Sequence, residues 1–118
     1  MTIEGMWKFR PELGTHEGLE LVEYEVEAQD GKIGKVDAAS NEVGDSYLVV
    51  DVHPWLFGKK VLLPAATVER IDEDHRKLYV SRTKEEIKNA PEYHEPAHED
   101  PRYRDEVGGY YARFPGTM

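Results

Sequence analysis

The sequence predicts a mainly β protein, with about six short strands, a short closing helix and an irregular tail. Three observations carry that expectation. Alternating apolar and acidic residues run straight into a tight-turn dipeptide. A continuous apolar run rich in β-formers follows, bounded by loop residues. Turn signals then recur every ~10 residues, the rhythm of a small barrel or sandwich.

Val22, Tyr24, Val26 and Ala28 alternate with Glu23, Glu25 and Glu27, which is the period of a strand with one wet face. Asp30-Gly31 follows at once, a hairpin signal because Gly accepts positive φ without steric cost. Ile33 to Ala39 is the returning strand, with Gly34 permitting a bend or bulge. Ser40 to Asp45 reads as loop. Tyr47 to Val52 is a run buried on both faces, interrupted only by Asp51. Val61 to Leu63, Val68 to Ile71 and Leu78 to Val80 are shorter strands. Pro64 ends the first, and Asp72 to His75 turn between the other two.

Thr83-Lys84-Glu85-Glu86 then matches a capping box, predicting a helix from Lys84 to about Asn89, stopped by Pro91. Residues 92–118 mix Pro96, Pro101, Pro115, glycines, charges and aromatics with no regular period, and are expected to form a tail. The chain therefore divides into an extension (1–18), a β domain with its closing helix (19–91) and an acidic tail (92–118).

The 118 residues suffice for one hydrophobic core. A net charge of −9 repels phosphate backbones and anionic headgroups, so direct nucleic-acid binding is disfavoured. No cysteine is present, which excludes disulfides and thiolate chemistry and suits a reducing, cytoplasmic setting. Neither a signal-like N-terminus nor a membrane-length apolar run is visible, so no membrane insertion is expected.

Asp30-Gly31-Lys32-Ile33-Gly34-Lys35-Val36 resembles the "DG-x-x-IGKV" opening of PRC-barrel domains. Tyr47 to Val50, Gly58 to Pro64, Leu78 to Ser81, Thr83 to Glu86 and Ala90-Pro91 follow in that family's order and spacing. The resemblance covers roughly residues 19–91 and implies a compact barrel of about six strands. The family's settings include the cytoplasmic part of the photosynthetic reaction centre H subunit and the C-terminal domain of a ribosome maturation factor. They share docking onto another protein without chemistry of the domain's own. Neither the membrane helix of the first nor the partner domain of the second is expected here, so neither specific function is expected to carry over.

His94-Glu95-Pro96-Ala97-His98 matches the zinc protease motif H-E-x-x-H. That chemistry needs a helix, and Pro96 inside one would cost ~3 kcal/mol. The match reads as a solvated loop, and no metal or cofactor is expected. No nucleophile motif or phosphate loop is present, so no catalytic residue is nominated and the chain is expected not to be an enzyme. Asp51 is either a hydrogen-bonded structural carboxylate or a tuned acid. Trp55, Leu56 and Phe57 sit in a strand connection and either plug a barrel mouth or meet a partner. Tyr103, Tyr110, Tyr111 and Phe114 pose the same question in the tail, with docking of the tail expected. The sequence thus points to a protein-interaction domain with an unidentified partner, most simply a homodimer. An accessory role in ribosome assembly or RNA processing is the alternative.

Overall fold

The computed structural model describes residues 3–13, 18–40, 46–52, 60–91, 93 and 100–114. Six strands form where alternation and apolar runs demand them. They are β1 (Glu25–Ala28), β2 (Gly31–Ala39), β3 (Tyr47–Asp51), β4 (Lys60–Pro64), β5 (Val68–Asp72) and β6 (Lys77–Val80). They make one mixed sheet in the order β4-β3-β2-β1-β6-β5. Only β1 and β6 run parallel; the other neighbours are antiparallel.

The connectivity forces this sheet to curl. β4 and β5 lie at opposite edges, yet a single 3-10 turn, Ala65–Thr67, joins them. In a flat six-stranded sheet the edges would stand about 24 Å apart, whereas the chain from Pro64 to Val68 reaches at most about 14 Å. The sheet therefore bends until the end of β4 meets the start of β5. Side chains hold the corner. Thr67 Oγ1 donates to the Pro64 carbonyl at 2.7 Å, and Arg10 Nε donates to the Ala66 carbonyl at 2.9 Å. Arg10 Nη2 also donates to Ser81 Oγ at 3.1 Å, and the Ser81 amide donates to the Thr67 carbonyl at 2.9 Å.

Gly34 lies directly against the backbone at the end of β3. A Cβ built there would lie 1.8 Å from the Asp51 carbonyl oxygen, backbone that cannot step aside.

The core fills the inside of the curl, and segments outside 19–91 contribute to it. Met6 and Trp7, from the 3-10 turn Ile3–Trp7, are 0% and 6% exposed. Val107 and Tyr111 enter the same cluster from the C-terminal side. Trp7 meets Tyr47 edge to face at 6.4 Å, and its carbonyl accepts the Ser46 amide at 2.8 Å.

Three local features differ from the sequence expectation. The first strand starts at Glu25 and not at Val22, because Gly18–Leu21 form a 3-10 turn and Glu23 adopts a left-handed φ of 77°. The β1–β2 turn is centred on Gln29 and Asp30; Gly31, with φ 140°, already opens β2 opposite Ala28.

The third difference is the tail. Residues 101–112 are not irregular but form a helix, α2 (Pro101–Ala112). Asp100 caps it, its carboxylate accepting the Arg102 amide at 2.9 Å, and Pro101 occupies the first turn, where its missing N–H costs nothing. The earlier helix, α1 (Lys84–Lys88), has the capping box its sequence predicts. Thr83 Oγ1 accepts the Glu86 amide, and Glu86 accepts the Thr83 amide at 2.8 Å. No helix among the described residues is long and apolar enough to cross a membrane.

Candidate interaction surfaces

The C-terminal cap is built from α2 and α1. Tyr103, Val107 and Tyr111 fall four residues apart, so they share one side of the helix, and Phe114 follows just past its end. Val107 and Tyr111 are fully buried. Tyr110, one position round, donates its hydroxyl to the Glu86 carbonyl of α1 at 2.5 Å. Tyr103 tilts against Tyr93 at 6.2 Å and donates its hydroxyl to the Pro91 carbonyl at 3.4 Å. Phe114 packs edge-on to Tyr110 at 5.2 Å.

Arginines are laid on these rings. The Arg113 guanidinium stands 4.4 Å from the Tyr110 centroid and 5.4 Å from that of Phe114, while buried Arg82 approaches Phe114 at 4.9 Å. Arg82 also pairs with Glu86 at 3.6 Å. The Tyr111 hydroxyl is buried without a hydrogen-bond partner, and burial pushes its phenol above the ordinary tyrosine value. The cap thus has a packed base, Tyr111 and Val107, and a half-buried rim of Tyr103, Tyr110 and Phe114 beside exposed Arg113.

A second surface lies on the outside of the sheet. Strand register lines up two rows across β2, β1, β6 and β5. One is Lys35-Glu25-Lys77-Asp72; the other is Lys32-Glu27-Tyr79-Arg70. The glutamates of the wet face are therefore neutralised by lysines from neighbouring strands. Lys32 meets Glu25 at 3.4 Å, Lys77 meets Glu27 at 3.8 Å, and nearer the β4 edge Lys60 meets Asp37 at 2.9 Å. At the β5 end, Arg70 lies over the Tyr79 ring at 4.0 Å. An open groove of about 510 Å³ runs here, lined by Glu27, Gln29, Gly31, Glu69, Arg70 and Tyr79 among others. The β5–β6 turn beside it is held by Asp72, which accepts the His75 amide at 3.1 Å; that bond holds its carboxyl below the usual range.

No family model matches the chain, and no curated protein matches it. A solved structure does. The fold is similar to that of a 16S ribosomal RNA processing protein, RimM, of Pseudomonas aeruginosa, with a TM-score of 0.51 and 22% sequence identity. The match covers 64% of this chain and 49% of that one, so this chain spans about half the length of RimM. At that identity the likeness is one of fold.

Of the residues singled out from sequence, Tyr103, Tyr110, Tyr111 and Phe114 come together in the cap. Tyr111 serves as core, 0% exposed. Trp55, Leu56 and Phe57 lie outside the described residues, as does the His94 to His98 motif. Asp51 is half-buried at the end of β3, opposite Lys35 on one side and Lys60 on the other. Among the described residues no three His, Asp or Glu side chains gather as a metal site would require.

The sequence reading missed Arg70, Tyr79, Arg82 and Arg113. The spacing of Tyr103, Val107, Tyr111 and Phe114 was the available signal for the cap. No local pattern announces the Arg70–Tyr79 stack, which depends on a register shift between Val68 and Arg70.

Proposed function

We propose that this chain is a non-catalytic assembly domain of the PRC-barrel type, which acts by docking onto another protein in the cytoplasm. The family part of this reading is supported by the fold likeness to RimM and by the residues of the family-like motif. Both glycines of that motif sit where backbone geometry demands them: Gly31 at positive φ and Gly34 against the Asp51 carbonyl. Pro64 closes β4 and Thr83 caps α1, where the motif's later segments place them.

The observation that carries the docking reading is the rim of the cap. It gathers tyrosine, phenylalanine and arginine, the residue types that anchor protein interfaces. The natural partner class is a protein surface, a second copy of the chain being the simplest. A test pairs wild type with Arg113→Glu, whose side chain is exposed. Light scattering at micromolar concentration should give a dimer mass for wild type, and the substitution should weaken association while the chain stays folded. A monomer mass overturns the self-association reading. If Arg113→Glu leaves a dimer mass unchanged, the cap is not the docking surface.

A second reading, an accessory role in ribosome assembly or RNA processing, is supported by the fold likeness to RimM, a ribosomal RNA processing protein. Sedimentation of the tagged chain with ribosomal subunits on a sucrose gradient would support it, and migration in the free fractions would count against it.

A further inference from the structure

We infer that the groove between β5, β6 and the β1–β2 turn recognises an acidic side chain of a protein partner, with Arg70 as the receiving group. The site is separate from the C-terminal cap, since none of its lining residues belongs to α2. Its central feature is Arg70. The lysines Lys32, Lys77 and Lys60 on the outer face are each engaged by a carboxylate of a neighbouring strand. Arg70 is exposed, and among the described residues its guanidinium makes no hydrogen bond and no ion pair; it lies over the face of Tyr79 at 4.0 Å, and Asp72 feels its charge from farther off.

That contact sets the chemistry. The guanidinium carbon sits over the Tyr79 ring, and among the described residues nothing hydrogen-bonds its N–H donors. A fork placed in advance by a ring contact is suited to the two oxygens of a carboxylate.

The neighbours narrow the occupant. The bulge between Val68 and Arg70 leaves both Glu69 and Arg70 exposed along the groove. The Glu69 side chain also lacks an ion-pair partner among the described residues, so a basic group next to the incoming carboxylate would be matched. Glu27 lines the same groove, and Asp72, Glu73 and Asp74 follow on the adjoining turn. This setting repels a polyanion such as RNA and tolerates a single carboxylate flanked by a cation. The groove is open, so it suits a side chain delivered by a larger protein surface more than an enclosed small molecule.

The experiment is an NMR titration of the full, isotope-labelled chain that follows the Arg70 Nε–Hε signal and the amides of Glu69 to Ile71 and Tyr79. The probes are acetyl-Gly-Glu-Lys-Gly-amide, the same peptide with Gln in place of Glu, and inorganic phosphate. The glutamate peptide should produce saturable shifts in the millimolar range at low salt. The Gln peptide should bind about fivefold more weakly, the difference expected between a charged and a neutral acceptor. Arg70→Gln should abolish the response while leaving the melting temperature unchanged. Three results would each overturn the assignment: no shifts with the glutamate peptide, equal shifts with both peptides, or a stronger response to phosphate.

Discussion

At the scale of single residues, two positions define what the fold cannot change and what it can. Gly34 has no room for a Cβ, since the atom would stand 1.8 Å from the Asp51 oxygen and 2.8 Å from its carbonyl carbon. Relief would need β2 and β3 to separate, undoing the curl. Gly34→Ala should destabilise the chain by roughly 3 kcal/mol, seen as a drop of about 10 °C or more in a thermal melt. Tyr111 is the opposite case. Its ring fills the base of the cap, but its hydroxyl is buried without a partner. Tyr111→Ala should cost about 4 kcal/mol, whereas Tyr111→Phe removes only the unsatisfied group and should leave the melting temperature equal or higher. The same residue predicts a pH effect. Its phenol is raised in the folded state, so stability is whole below the unfolded tyrosine value of about 10 and is lost as pH rises above it. Tyr111→Phe should flatten that alkaline decline; an unchanged alkaline limb in urea melts would refute the assignment.

At the scale of elements, legibility tracks how local the deciding interaction is. The α1 capping box was readable because Thr83 and Glu86 satisfy each other's amides within one turn. All six strands were readable from alternation and apolar runs, with ends displaced by a few residues. α2 was not. It buries only Val107, Gly108 and Tyr111, carries an adjacent Gly108-Gly109 pair and follows a proline-rich stretch, so intrinsic propensity speaks against it. Docking decides the matter, and docking is invisible in a local window. The aromatic content did mark the right residues for the cap, whereas the sheet-face groove needed the β5–β6 register to be seen at all. The same logic gives a prediction. Because α2 packs on Ile3–Trp7 and on β4, deleting residues 100–118 should uncover Trp7 and Met6 as well as remove Tyr111. The loss should be about 4 kcal/mol or more, with a lower melting temperature and a red-shifted tryptophan emission. Hydrogen exchange on the intact chain checks this independently. Amides of Arg104 to Tyr111 should be protected, and fast exchange throughout would show that α2 contributes no stable packing.

At the scale of the whole molecule, charge separates the two functional readings. The chain carries a net charge of −9. On the outer sheet face Lys32, Lys77 and Lys60, which might have met phosphates, are engaged across strands by Glu25, Glu27 and Asp37. Phosphate binding there would require those pairs to break, and the released carboxylates would then oppose the incoming backbone. Nucleic-acid affinity grows with the number of phosphates neutralised, and it is greatest at low salt. If the chain docks on protein, a ribosomal RNA fragment should show no saturable binding at micromolar chain concentration even at about 50 mM salt. Filter binding or fluorescence anisotropy decides the point. Saturable binding that weakens steeply as salt is raised would instead mean that a basic surface operates despite the overall charge, and would move the RNA-linked reading ahead. Association with ribosomal subunits but not with naked RNA would place the contact on a ribosomal protein, joining the two readings through the docking surface.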